Sequence, residues 1–288
     1  VRRITATFAP DGAAWLERLP ATIARYAARW GLTVGPAFAG LSYNYVAPAT
    51  RADGAPAVLK LGVPRAALEL YGGAGACRLL AGDAAGGALL LERLKPGTDL
   101  TAIADEATAI QIAAQVMRQI HHAPPAGHQF PHVAGWLAGL ARLRPYFGGS
   151  AGPFPEALVA RAEALSAALL ASSAPEVVLH GDLHHFNVLQ SARGWLAIDP
   201  KGAIGEPAYE AGALLRNPLP AILTLPNRRA VLARRSALLA AALELDVTRI
   251  RQWAAVQAVL SAWWDVEDGA PEAAQPAIAL AADLMSLI

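Results

Sequence analysis

The stretch His180-Gly181-Asp182-Leu183-His184-His185-Phe186-Asn187, followed by Asp199, is the densest set of reactive side chains in the chain. One carboxylate can orient an attacking hydroxyl and accept its proton, while an amide and a second carboxylate hold a divalent cation against a polyphosphate. Asp182, Asn187 and Asp199 supply these groups, Asp182 as the base and Asn187 and Asp199 as the metal ligands. The same stretch suits a second chemistry. His180, Asp182, His184 and His185 are close enough in sequence to bind zinc for hydrolysis, with His121, His122, His128 and His132 available to complete the set. A third possibility is structural, since Asp and Asn commonly cap the turns around a hairpin.

The intervening residues explain how such groups converge. Val188-Leu189-Gln190 and Trp195-Leu196-Ala197-Ile198 read as short strands joined by Ser191-Ala192-Arg193-Gly194, a hairpin. Asn187 enters the first strand and Asp199 leaves the second, so both fall at one end of a ladder whose strands lie roughly 4.8 Å apart. Two magnesium ions about 3.5–4 Å apart fit between such groups. Magnesium keeps several waters, so two protein ligands and phosphate oxygens suffice.

Lys60 separates the first chemistry from the second. Ala57-Val58-Leu59-Lys60-Leu61 is an apolar strand with one lysine, comparable to the Val-Ala-Ile-Lys strand whose lysine holds nucleotide phosphates. Only positions 60, 95 and 201 are lysines among 24 basic residues, so a lysine inside an apolar strand is informative. The strand-like run Phe38 to Val46 turns near Gly40 and Ser42, which with backbone amides are placed over the phosphates. Ala88 to Leu94 is another strand and ends at the breaker Lys95-Pro96-Gly97, as a connection between lobes does. The peptide groups from Glu92 to Leu94 are there to meet the adenine edge.

These blocks together resemble the aminoglycoside phosphotransferase family, in its streptomycin 6-kinase and hydroxyurea phosphotransferase group. The resemblance spans nearly the whole chain. It is carried by Leu41 to Val46, Leu59-Lys60-Leu61, Gly72 to Leu80, Leu89 to Leu94, Leu179 to Leu189 and Trp195 to Gly202, the last two being the most specific. It implies an α+β, two-lobed, protein-kinase-like fold. Residues 1–93 form a small antiparallel β lobe with a leading helix that binds nucleotide, and residues 94–288 form a larger helical lobe with the catalytic loop and acceptor site. It further implies ATP and Mg²⁺ as cofactors, Asp182 as catalytic base, Asn187 and Asp199 as magnesium ligands and Lys60 as the nucleotide lysine. The acceptor implied is a hydroxyl of a small molecule, first the 6-hydroxyl of streptomycin, with hydroxyurea or another small metabolite as the alternative. A non-catalytic nucleotide-binding relative is a further alternative.

A polycation such as streptomycin calls for carboxylates that pair with guanidinium groups and aromatics that stack on them. Glu206, Glu210, Asp265 and Glu267 are the acids expected there, with Trp264 as the aromatic. Glu210 has a competing role at the start of a helix from Ala208. One feature departs from the family. Between Leu61 and Tyr71 the segment is short, Glu69 is its one acid, and the usual helix partner for Lys60 has no clear counterpart. The chain also opens on Val1, so residues missing from it are expected.

Composition narrows the classes. The chain has 288 residues, 55% of them hydrophobic, yet no run approaches about 18 uncharged apolar residues, so no membrane span is expected. The segment around Asp11 and Glu17 lacks the apolar core of a secretory signal. The single Cys77 forms no intramolecular disulfide and fits a reducing, cytoplasmic setting as a small buried group. A net charge of +1 argues against nucleic acid or an anionic membrane as partner. Helical periodicity marks residues 13 to 30 and, later, Asp105 to His122, Glu156 to Leu170, Arg228 to Leu243 and Val247 to Asp265.

Overall fold

In the computed structural model, which describes residues 11–39, 44–62, 66–172 and 175–288, the first element is helix α1, Asp11–Trp30. Its apolar stripe of Trp15, Leu19, Ile23, Tyr26 and Trp30 packs on Leu59, Leu61 and Ala88. The strands that receive it are β1 (Leu32–Val34), β2 (Tyr45–Arg51) and β3 (Pro56–Leu61); after helix α2 (Ala66–Tyr71) come β4 (Leu79–Asp83) and β5 (Ala88–Glu92). They form an antiparallel sheet in the order β1-β2-β3-β5-β4. Because side chains alternate along a strand, the packing of Leu59 and Leu61 on α1 sends Lys60 to the opposite face of β3, where it is buried at 5% exposure.

This unit ends at Gly97, within β6 (Pro96–Asp99), and the second runs from Thr98 to Ile288. The second unit is mainly helical: α3 (Glu106–Ile120), α4 (Val133–Leu137), α5 (Leu143–Tyr146) and α6 (Glu156–Ala171) precede a set of short strands. Those strands are β7 (Val177–Leu179), β8 (Val188–Ser191), β9 (Gly194–Ala197) and β10 (Ala203–Gly205). Helices α7 (Pro207–Leu215), α8 (Arg228–Leu243), α9 (Val247–Glu267) and α10 (Pro271–Met285) complete the chain. The core is built on α9, which packs against α6, α7, α8 and α10. Its middle, Trp253 to Leu260, is buried at every position, as a central helix requires, and Trp253 and Trp263 are essentially inaccessible.

An antiparallel sheet unit and a helical unit are the α+β arrangement expected from the sequence. Helix α8 occupies the predicted span, α3 starts after the predicted Asp105, which caps it by accepting from Thr108 N, and the hairpin β8–β9 pairs Val188 with Ala197 through Ser191 with Gly194. Cys77 is buried. Among the described residues no helix is long and apolar enough to cross a membrane.

Candidate active site

The reactive residues of the second unit sit on two short loops that are hydrogen-bonded together. The first, His180 to Asn187, leaves β7; the second, Ile198 to Gly202, leaves β9. His180 Nε2 donates to the Ile198 carbonyl at 2.8 Å, while its carbonyl accepts from Lys201 N at 2.8 Å and Gly202 N at 3.2 Å. Ile198 N donates to the Asn187 carbonyl at 2.9 Å. Asp182 and Asp199 are therefore fixed relative to each other by backbone.

A buried carboxylate sets the first loop. Glu210, in the first turn of α7, accepts from His180 N at 2.6 Å and Gly181 N at 3.0 Å, and its Oε2 lies 3.7 Å from His121 Nε2. Burial alone would push Glu210 up, but His121, His180 and these N–H groups together hold its carboxyl below the ordinary value. The adjacent helix N-terminus favours the same charge. Gly181 has φ +83° and sits where a Cβ would come within 2.6 Å of the Trp136 ring, so a glycine is required for both backbone and space.

Asp182 N donates to His180 Nδ1 at 3.2 Å. With Nε2 donating and Nδ1 accepting, the His180 imidazole is neutral, and burial keeps its pKa low. Asn187 Nδ2 donates to the Asp182 carbonyl at 2.9 Å, which leaves the amide oxygen Oδ1 for another ligand. Asp199 takes a left-handed backbone, φ +59°, uncommon for a residue with a side chain and concentrated at functional sites. The Lys201 ammonium lies 3.4 Å from Asp199 Oδ2 and 3.9 Å from Asp182 Oδ2. The two carboxylates thus converge on one positive charge. A half-exposed carboxylate at Asp199 and a free amide oxygen at Asn187 are hard oxygen donors and fit magnesium, which needs few protein ligands.

Asp182 also opens on a pocket of about 390 Å³ within the same unit. Trp136, Tyr209 and Trp264 give it aromatic walls, and Gln257, Ser261, Lys201 and Arg216 add polar groups. The volume suits a small organic molecule. A hydroxyl held in this pocket is placed beside the Asp182 carboxylate, the geometry a general base needs.

Several expected residues are elsewhere or otherwise engaged. Glu210 is enclosed beneath the loop, so it braces backbone and offers nothing to a substrate. Glu206 immediately precedes α7, outside the lining of the Asp182 pocket, pairing with Arg249 Nε at 2.6 Å and accepting from Trp253 Nε1 at 2.9 Å. Glu267 is held by a two-pronged pair with Arg142, at 2.7 and 2.8 Å. Asp265 is outside the pocket lining, whereas Trp264 is part of it. In the first unit the Glu92 N–H donates to the Arg78 carbonyl at 2.9 Å and Glu92 Oε2 accepts from Arg78 N at 3.0 Å, which removes that donor from the adenine-binding role. Leu94 is buried. Gly40 and Ser42 lie outside the described residues.

The zinc alternative loses His180 to the loop. Both ring nitrogens of His180 are occupied by backbone. Among the described residues no three His, Cys, Asp or Glu side chains are grouped to hold a metal.

The sequence reading missed the pocket's other members. Lys201 carried one usable signal, a rare lysine two residues past Asp199. Trp136, Arg216, Gln257 and Ser261 come from helices far apart in the chain, and no local pattern shows that they meet.

Comparisons with known proteins identify the family. A family model for aminoglycoside/hydroxyurea antibiotic resistance kinases matches residues 29–269. The streptomycin 6-kinase of Streptomyces griseus is 34% identical over 281 residues, 94% of this chain and 91% of the relative. The hydroxyurea phosphotransferase of Kitasatospora aureofaciens is 36% identical over 272 residues, 90% and 76% of the two chains. A solved aminoglycoside phosphotransferase, in ternary complex with ADP and hygromycin B, shares the fold at TM-score 0.59 and 15% identity, covering 90% of this chain and 98% of the other. The chain belongs to the aminoglycoside/hydroxyurea antibiotic resistance kinases and is a phosphotransferase with an alcohol group as acceptor.

Proposed function

We propose that the protein transfers the γ-phosphoryl group of ATP, with Mg²⁺, to a hydroxyl of a small molecule bound in the Asp182 pocket. The observation that carries this reading is the convergence of Asp182 and Asp199 on Lys201, with the Asn187 amide tied to the Asp182 carbonyl. Asp182 orients the acceptor hydroxyl and takes its proton as the new P–O bond forms. Asn187 Oδ1 and the Asp199 carboxylate are the groups that hold magnesium, which when bound neutralises charge on the phosphates. Lys201 keeps the two carboxylates from repelling one another, and Lys60 is the proposed contact for the α- and β-phosphates.

Streptomycin, at its 6-hydroxyl, is the acceptor proposed first, on the strength of the relative from Streptomyces griseus; hydroxyurea is second, on that from Kitasatospora aureofaciens. Glu206, Glu267 and Glu210, expected to meet streptomycin's guanidinium groups, are committed to Arg249, Arg142 and the loop backbone, so the order rests on the relatives. A non-catalytic role is not favoured, since the named relatives are kinases and phosphotransferases. Coupled measurement of ADP release with streptomycin, hydroxyurea and small alcohols tests the reading. Acceptor-dependent ADP release that requires Mg²⁺ is expected; ADP release unaffected by every acceptor would count against it.

A further inference from the structure

The Asp182 pocket is unusual in its charge. A site for a polycation should be lined with carboxylates, yet the acid in this lining is Asp182, the proposed base, and it is accompanied by two cations, Lys201 and Arg216. Lys201 is already shared between Asp182 and Asp199. Arg216 is different. Its Nε donates to the Gly212 carbonyl one turn back on α7, at 3.2 Å, which fixes the plane of the guanidinium. Its terminal nitrogens have no hydrogen-bond or ion-pair partner among the described residues. Burial draws the Arg216 pKa down while the fields of Asp182, Tyr209 and Asp265 hold it up; an arginine stays charged through such shifts. A half-buried guanidinium whose terminal N–H groups face an aromatic pocket is poised for an oxygen-bearing ligand, because an oxygen acceptor gives charged N–H groups strong, directional partners.

We propose that Arg216 is a specificity-determining residue that donates to an oxygen of the acceptor, so that the pocket favours an electron-rich group beside the reacting hydroxyl and disfavours a cationic one. This rests on the phosphotransfer reading and deepens it. A carbonyl or hydroxyl oxygen satisfies Arg216, whereas a guanidinium in the same place meets a like charge. Hydroxyurea presents a neutral carbonyl next to its hydroxyl. Streptomycin carries a guanidinium on the carbon adjacent to its 6-hydroxyl, and must turn that group away from Arg216.

The test is the ratio of kcat/KM for hydroxyurea to kcat/KM for streptomycin, measured in the wild type, Arg216→Gln and Arg216→Lys. Loss of a charge-assisted hydrogen bond with relief of a repulsion lowers that ratio by about tenfold or more in Arg216→Gln, mostly through KM, and Arg216→Lys recovers part of it. A merely structural role for Arg216 depresses both acceptors alike and leaves the ratio unchanged, which overturns the proposal, as does a shift toward hydroxyurea. Should Arg216→Gln fail to fold, calorimetric binding to the wild type in the presence of a non-hydrolysable ATP analogue decides between inositol and streptidine, the same ring with two guanidino groups. Weaker binding of streptidine supports the proposal, and equal or tighter binding, or no binding of either, overturns it. A wild type that does not bind Mg·ATP strikes instead at the phosphotransfer reading.

Discussion

At the scale of single residues, the three groups proposed for phosphoryl transfer differ in how the fold constrains them. Asn187 is fixed through its Nδ2 to the Asp182 carbonyl, so its oxygen is presented without freedom to rotate. Asp199 is held by a left-handed backbone and by Lys201. Replacing either by Ala removes a proposed magnesium donor. The expected outcome is a rise of about tenfold or more in the Mg²⁺ concentration for half-maximal Mg·ATP binding. Titration by calorimetry or fluorescence checks this, and unchanged metal dependence in both variants would speak against the ligand assignment. Their proposed roles were read from residue types and spacing around one hairpin, and the structure contains that hairpin. Glu206, Glu210 and Glu267 were misjudged because a carboxylate's partners, here Arg249, backbone N–H groups and Arg142, lie 29 to 125 positions away and leave no local mark.

At the scale of elements, helix α7 carries the site as much as the loop does. Glu210 projects from its first turn to two N–H groups of the catalytic loop, and Arg216, at its C-terminal end, lines the pocket. Glu210→Gln swaps one accepting oxygen for an amide NH₂ that faces a backbone donor. The expected cost is about 3 kcal/mol of stability, with kcat reduced more than affinity for Mg·ATP; a variant with wild-type Tm and kcat contradicts the bracing role. In the first unit, Asp83 plays a comparable part at the end of β4. Hydrogen bonds from Gly86 N and from Tyr26, with Arg29 beside it, hold its carboxyl below the usual value. A depressed carboxyl stabilises the fold above its unfolded pKa and loses that contribution as pH falls through the folded one. The Tm difference between wild type and Asp83→Asn is therefore expected to be present at pH 7 and to close below the ordinary carboxylate range. A gap that persists undiminished under acid conditions contradicts this. The helices and the hairpin themselves were readable from period and caps, since local hydrogen bonding and an apolar stripe decide them; that α7 lies under the catalytic loop depends on tertiary packing, which period does not encode.

At the scale of the whole molecule, the sheet unit ends at Gly97 and the helical unit begins at Thr98, just past the boundary expected after residue 93. The fold class was legible because strands and long helices segregate along the chain, and the specific blocks around Lys60, Asp182 and Asp199 narrowed it further. The acceptor pocket was not, because its walls are drawn from α4, the catalytic loop, α7 and α9. The account as a whole rests on Asp182 acting as base toward a hydroxyl beside bound Mg·ATP. Single-turnover transfer of the γ-phosphoryl group to the acceptor, compared between wild type and Asp182→Ala at saturating Mg·ATP, tests it most directly. The account predicts nucleotide binding close to wild type with the transfer rate lowered by about two to four decades; transfer at the wild-type rate in Asp182→Ala would contradict it.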